Sequence, residues 1–297
     1  MNNNMLLIIN PKAGKGKINK KIPNIIRNFE QQGYRVKQEY TQRGIKTGEI
    51  VSRYKDKTKL IVCCGGDGTL NRIINEIMNW DNKPQIGFIP LGTMNDFAKT
   101  MKISTRKTSL SKNINETVGI YSDIGNFNEK YFNYVAAFGA FTSVSYITSQ
   151  KLKKKYGKIA YILVGMRVLK KIKSYQIQIE FDGKIVDDEF IYGSISNSKS
   201  VGGFELFKNN DVKIDDGKYE MLFVKKPKNK IGWINILFSL LFKKYNSKNF
   251  IYQQIGKINI KSEKNIPWTL DGEYGGRTKE VKITNNQKSI EYIVSIN

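Results

Sequence analysis

The sequence predicts an α/β layer built on a parallel sheet, followed by a β-rich second half. Three observations carry that prediction. Buried-type strands alternate with amphipathic helices through residue 100, glycine-containing loops follow those strands, and near Thr117 the texture changes so that strands dominate.

Taken in order, "MLLIIN" (Met5 to Asn10) reads as a buried parallel strand ended by "PKAGKGK". A helical pattern runs from Ile18 to about Gln32, with Ile22, Ile25, Ile26 and Phe29 on one face and Gly33 closing it. "YRVKQEY" alternates as a strand, residues 46 to 55 can form a helix, and "KLIVCC" is a second buried strand. Leu70, Ile73, Ile74, Ile77 and Met78 follow the spacing of an amphipathic helix. "QIGFIP" is another strand, and "LGTMNDFAK" begins the next helix. From Thr117 the strands are "VGIYSDIGNFN", "YFNYVAAFGAF", "QIQIEFDG", "FIYGSISN", "KYEMLFV", "KINIKS" and "PWTLDGEYGG". Asp182-Gly183, Asp216-Gly217 and Asp271-Gly272 are the turn signals beside them. Two helical patterns interrupt this half, about Thr142 to Lys171 and about Lys230 to Tyr245.

Composition narrows the chemistry. The 297 residues carry no histidine, which excludes Ser-His-Asp and Cys-His catalysis and His-ligated zinc. The two cysteines, Cys63 and Cys64, are adjacent on a strand, point to opposite faces and read as small core residues of a reduced, cytosolic protein. Fifty Lys and Arg against 26 Asp and Glu give +24, a surplus that draws the chain toward polyanions or that simply reflects a Lys- and Asn-rich composition. No signal peptide is visible, and the longest apolar stretch, Ile231 to Phe242, is shorter than the roughly 20 residues of a bilayer span. Its Ile231, Ile234, Phe238, Leu241 and Phe242 can share one helix face flanked by Lys243 and Lys244. Such a face either seeks an anionic lipid surface or packs on the protein's own sheet.

The stretch "CCGGDGTLNRIINEI" sets three glycines around Asp67 where a buried strand meets a helix. Bare backbone N–H groups at a helix N-terminus suit phosphate. Neither the Walker pattern nor G-x-G-x-x-G is present, since Asn71 stands where the third glycine would be. A carboxylate inside a phosphate loop makes sense beside a cation or as a proton carrier; alone, it also reads as a helix cap in a tight turn. Asn10 to Lys17 ("NPKAGKGK") and Pro90 to Asp96 ("PLGTMND") follow neighbouring strands, so in a parallel sheet these loops share the ligand-binding edge. Asp271-Gly272-Glu273 is a late hairpin-type turn.

"NPKAGKGK", "GGDGTLN", "PLGTMNDFA" and "DGEYGG", in this order and spacing, resemble the diacylglycerol kinase catalytic family, and most closely its soluble bacterial lipid kinases. NAD kinases and 6-phosphofructokinases share the GGDGT theme, but the DGE turn and the β-rich second half favour the lipid kinases. The resemblance implies a nucleotide-binding domain at about 1–122, to which about 288–297 return, and a β-sandwich lipid-substrate domain at about 123–287, with the active site in the cleft between. It implies ATP contacts at Asn10, Pro11, Lys12, Ala13, Gly14, Thr41, Gly65, Gly66, Asp67, Gly68, Thr69, Leu70, Asn71 and Thr93. Asp67 and Asp96 would act through magnesium and the γ-phosphate, and Glu273 would accept the proton of the lipid hydroxyl. "KIDDGKY" resembles a structural magnesium loop, with the Lys213 carbonyl, the Asp216 side chain and the Lys218 carbonyl as ligands. Asp123 and Lys15 match polar positions that link the domains. Arg72 departs from the family, which usually carries Glu there; Glu76 lies one turn on. Val164 stands where the soluble enzymes commonly have Lys.

Phosphoryl transfer asks for positioning and charge neutralisation, which glycine N–H groups, lysines and a metal-bound pair of aspartates supply. A carboxylate raised by burial would serve as base in a chain without histidine. The expected protein is thus an ATP- and magnesium-dependent lipid kinase, most simply of diacylglycerol. Its rivals are a kinase of another lipid or of NAD, and a non-catalytic nucleotide- or anion-binding protein. Expected partners are a lipid substrate and transiently the anionic inner face of a membrane, with no nucleic acid; a homodimer stays open.

Overall fold

The computed structural model describes residues 3–16, 18–93, 95–103, 109–112, 114–139, 172–201, 204–207, 212–245 and 247–295. The helical pattern expected at about Thr142 to Lys171, with Val164, lies outside them.

Four parallel strands form the first layer: β1 (Asn4–Ile9), β2 (Arg35–Tyr40), β3 (Leu60–Gly65) and β4 (Gln85–Pro90), in the order β2-β1-β3-β4. Every residue of β3 is buried, as a central parallel strand covered on both faces requires. Strand alternation divides its cysteines. Cys63 joins Leu6, Ile8 and Ile61 on one face, and Cys64 joins Leu7, Ile9 and Val62 on the other. Burial pushes the Cys64 thiol up to about 12 and the Cys63 thiol well above its ordinary value. Helices α1 (Ile22–Gln31) and α3 (Asp67–Ile77) cover opposite faces through Ile25 and Phe29, and through Leu70, Ile73, Ile74 and Ile77. Helix α2 (Thr47–Ser52) packs beside α3. The two short helices α4 (Asp96–Thr100) and α5 (Ser109–Lys112) follow β4. The first helix begins later than its apolar pattern because Pro23 occupies its first turn and residues 19–21 form a tighter 3₁₀ turn.

Beyond residue 116 come β5 (Thr117–Phe127), β6 (Lys130–Phe132), β7 (Val135–Gly139), β8 (Tyr175–Phe181), β9 (Lys184–Ser196), β10 (Ser200–Val201), β11 (Phe204–Glu205) and β12 (Tyr219–Lys225). Helix α6 (Lys230–Phe242), β13 (Phe250–Ile255), β14 (Lys257–Leu270) and β15 (Glu273–Ser295) complete the chain. β9 and β14 each pair with β8 near one end and with β7 near the other, so this half closes around its own core. Phe138 sits at the centre of that core, 4.9 Å from Trp268 and 5.7 Å from Phe223 between ring centroids. The 23-residue β15 joins the halves. It pairs with β14 over its first half, with β5 from Ile283 to Ser295, and in parallel with β4 at Tyr292 and Ile293.

Two sequence expectations change in the structure, and one turn is found where it was expected. "YFNYVAAFGAF" is not one strand but two, β6 and β7, broken at Asn133-Tyr134. The hairpin-type turn expected at Asp271-Gly272-Glu273 is present, because Asp271 (φ 50°) and Gly272 (φ 81°) turn the chain in the left-handed region. In α6 the buried face is Ile236 and Leu237, with Trp233 and Leu240 packed partly in, while Ile231, Ile234, Phe238 and Phe242 face solvent. A helix apolar nearly all round offers two candidate faces, and only tertiary packing chooses between them.

Asp123, fully buried on β5, clips two remote segments together, the loop at Gly217 and β15. It accepts from the Gly217 N–H at 2.7 Å, the Lys288 N–H at 2.8 Å and the Asn285 amide at 3.0 Å. Burial raises its pKa while these donors pull it back. Removing the carboxylate leaves three donors without their acceptor. Asp123→Ala is therefore expected to cost roughly 2–4 kcal/mol of stability, read as a lower urea midpoint. An unchanged midpoint would show that the clip is not needed.

Candidate active site

The loops that leave β1, β3 and β4 meet at one edge of the sheet. The Asn10 N–H donates to the Cys64 carbonyl at 2.9 Å, and the Leu91 N–H donates to Gly65 at 2.7 Å. The Asn10 amide reaches the Thr69 hydroxyl at 3.1 Å, and Asn10 Oδ1 accepts from the Lys12 N–H at 3.1 Å. A Cβ on Gly66 would lie 3.1 Å from the Gly92 Cα, so two backbones touch where a side chain has no room. Ala13 and Gly14 belong to a single 3₁₀ turn after Pro11, with Gly14 at φ 58°. Thr41 continues β2 and faces the same cleft as Asn10 and Lys12. Leu70 points wholly into the core, so its part is to seat the helix rather than to meet a ligand with its side chain. Thr93 is exposed beyond Gly92, and the Lys15 side chain lies outside the described ones.

Asp67 opens α3, and its Oδ2 accepts from the Asp96 N–H at 3.2 Å. Its Oδ1 is buried with no hydrogen-bond partner. Burial, then the negative charges of Asp271 and Asp96, push its pKa up from 3.8 to about 7, against the pull of the Asp96 and Phe97 N–H groups. Asp96 is itself buried; its Oδ1 accepts from Ser200 at 2.9 Å and from Lys99 at 3.2 Å.

Asp271, read in the sequence as a turn residue, is a buried hub. One oxygen accepts from the Asn133 N–H (2.7 Å), the Asn133 amide (2.9 Å) and the Asn71 amide (2.7 Å); the other accepts from the Tyr134 and Val135 N–H groups at 3.0 and 3.1 Å. Asn71 also donates to the Tyr131 carbonyl and accepts from Asn75. Its side chain therefore ties α3 to the second half while lining the cleft. Asn75, one turn on, exchanges hydrogen bonds with the Tyr131 backbone. The sequence trace of this contact is a pair of amides, Asn71 and Asn75, at i and i+4 beside an apolar face.

Two residues beyond Asp271, Glu273 reaches back across the cleft. A Cβ on Gly68 would collide with Glu273 Oε1, so the carboxylate lies directly on the glycine loop. Its Oε2 pairs with Arg72 at 3.4 Å, both side chains being 53% exposed. Burial thus falls on Asp67 and not on the expected base. Glu76 also lines the cleft, accepting from the Trp80 indole and lying against Gly48. The cleft between the Thr41–Glu49 segment, α3 and the β14–β15 turn measures about 1220 Å³. Arg43, Lys46 and Lys130 also line it, and motif reading did not mark them.

No group of three or more Cys, Asp or Glu among the described residues could hold a metal unaided. The buried, unpartnered Asp67 Oδ1 in the field of two further carboxylates still fits a magnesium ion whose remaining ligands are phosphate oxygens and water. In the other loop, Asp216 Oδ1 accepts from the Lys218 N–H at 3.1 Å, Gly217 turns at φ 78°, and the Lys213 and Lys218 side chains are exposed.

A glycine-lined helix N-terminus, paired aspartates and a carboxylate facing them across a cleft are the parts of a phosphoryl-transfer enzyme. Residues 4–126 match the diacylglycerol kinase catalytic domain. A diacylglycerol kinase of Staphylococcus carnosus (strain TM300) is 33% identical over 274 residues, 91% of this chain and 89% of that protein. One from Staphylococcus aureus (strain MRSA252) is 32% identical over 91% of this chain and 86% of its own length. A crystal structure of a diacylglycerol kinase from Bacillus anthracis str. Sterne superposes with a TM-score of 0.78 at 21% identity, covering 99% of this chain and 97% of that one. The chain belongs to the diacylglycerol kinase family and is a lipid kinase.

The Asp67 shift has a sign. Its folded pKa is raised, so its contribution to stability is complete below 3.8 and is lost as pH rises through about 7. In chelator, wild type is expected to lose up to roughly 4 kcal/mol between acid and pH 8 from this group. Thermal melts at pH 5 and pH 8 check it: Asp67→Asn should flatten the difference. An equally steep dependence in the variant would place the titration elsewhere.

Proposed function

We propose that the protein transfers the γ-phosphate of ATP to the hydroxyl of diacylglycerol, giving phosphatidic acid. The observation that carries this reading is Glu273, held by the second half of the chain, lying on Gly68 of the glycine loop. A phosphate donor at the loop and an acceptor arriving through the second half would meet there. The backbone of Gly65 to Thr69, with Asn10, Gly14 and Thr41, would cradle the phosphates, and Lys12 faces them. Asp67, with Asp96 bonded to it, would hold magnesium, which when bound offsets the charge on the phosphates. As the bond from γ-phosphorus to the ADP oxygen breaks and the bond to the lipid oxygen forms, Glu273 takes the hydroxyl proton. Arg72 pairs with that carboxylate at 3.4 Å beside the loop.

Residues 1–122 with 288–297 would serve as the nucleotide domain and 123–287 as the lipid domain. The Lys213, Asp216 and Lys218 loop, fixed to β5 by the bond from Gly217 to Asp123, would carry a second, structural magnesium. A second reading gives the proton to Asp67, whose burial brings it to about 7.

Purified protein with labelled ATP and a panel of lipids and NAD tests the substrate: label is expected in diacylglycerol first. Label entering another lipid or NAD alone would overturn the assignment. Glu273→Gln separates the two bases. It should keep ATP affinity and lose roughly 10² to 10⁴ in turnover. Wild-type turnover in that variant would pass the role to Asp67, and ATP affinity falling in step with rate would make Glu273 a nucleotide-site residue.

A further inference from the structure

The outward face of α6 is unlike the rest of the surface. Ile231 is 66% exposed, Ile234 42%, Phe238 48% and Phe242 58%, all on one side of the helix. The Phe238 and Phe242 rings stack at 6.0 Å with planes only 9° apart, so the two form one flat apolar plate. This is not a helix waiting for its core: its opposite side already packs through Ile236 and Leu237.

Charge surrounds the plate with one sign. Between Met221 and Ser262 there are nine lysines and not a single Asp, Glu or Arg. Two of the nine pair with Asp188 and Glu189, but Lys228 and Lys230 at one end of the helix and Lys244 and Lys248 beyond the other are exposed. An uncharged apolar stripe bracketed by lysines is complementary to a leaflet of anionic lipid: the rings enter the acyl boundary while the ammonium groups meet phosphates. A protein partner offering the same complementarity would need an apolar groove rimmed with acid, and a second copy of this chain brings lysines against lysines.

We propose that α6 is the membrane-docking element, and that it seats the protein on an anionic bilayer surface through Phe238 and Phe242 with the flanking lysines. The helix is tied to the catalytic loops by a short path. Lys243 Nζ donates to the Phe207 carbonyl at 3.3 Å and the Tyr245 hydroxyl to the Leu206 carbonyl at 2.5 Å. The Leu206 N–H donates to Lys199 at 3.0 Å, and the adjoining Ser200 donates to Asp96 at 2.9 Å. These bonds connect α6 to Ser200, the residue that meets Asp96, so the surface and the site would serve one lipid. This last point rests on the lipid-kinase reading; the docking surface does not.

The test uses the full chain, co-sedimented at low salt with phosphatidylcholine vesicles with or without about 30% phosphatidylglycerol. Wild type is expected to bind the anionic vesicles and to release at high salt. Phe238→Ser with Phe242→Ser should weaken that binding by about tenfold or more, and Lys244→Glu with Lys248→Glu should abolish the preference for anionic vesicles. ATP affinity by calorimetry should be unchanged in both pairs, which also reports folding. Undiminished vesicle binding by both pairs overturns the proposal. So does a wild-type dimer that the double Phe variant converts to monomer, because the plate would then be a self-association face. Phosphorylation of a water-soluble short-chain diacylglycerol is measured alongside. Its absence with intact vesicle binding would sink the substrate assignment and leave the docking surface standing.

Discussion

The Asp271 carboxylate is the interaction on which the geometry of the site depends. It collects donors from Asn133, Tyr134 and Val135 on one side and from Asn71 of α3 on the other. A buried charge of this kind is tolerated only because both oxygens are fully used. Its effect reaches two residues on: with Asp271 fixed to α3, Gly272 turns the chain and Glu273 falls on Gly68. Gly68 of the glycine loop and Glu273 are thereby brought together by the Asp271 carboxylate.

Asp67 illustrates how a chain without histidine acquires a group that titrates near neutrality. Its loop excludes water, and Asp96 and Asp271 add like charge, so the carboxyl is held near 7 until something cationic arrives. Ion binding at that point would exchange a destabilising charge for a compensated one.

Much of this was legible in the sequence because glycines and strand ends leave local traces. Gly66 and Gly92 had to be glycine for two loops to touch, and the parallel-sheet rule alone places Asn10, Gly66 and Gly92 on one edge. What could not be read were contacts between residues far apart in the chain. Ser200 on Asp96 spans 104 positions, and Asn71 on Asp271 spans 200, with no spacing rule to announce either. The hub role of Asp271 was hidden behind its adjacency to Gly272, which reads as an ordinary turn. Which of Glu273 and Asp67 lies deeper was unreadable for the same reason, since it depends on where a distant hairpin lands. The outward face of α6 was undecidable because two apolar stripes share one short helix.

β15 has a mechanical consequence. It belongs to both halves, laddered to β14 at one end and to β4 at the other, while β5 runs antiparallel along it through the junction. Two laddered strands crossing a junction form a girder, not a hinge pin. Swinging the halves apart as rigid shells would have to bend that girder or unzip rows of its backbone hydrogen bonds. The compliance that admits substrate must then reside in the cleft's rim, in segments such as Thr41–Glu49 that no ladder stiffens. The width of the gap is thus tied to the register of β15 with β14, β5 and β4.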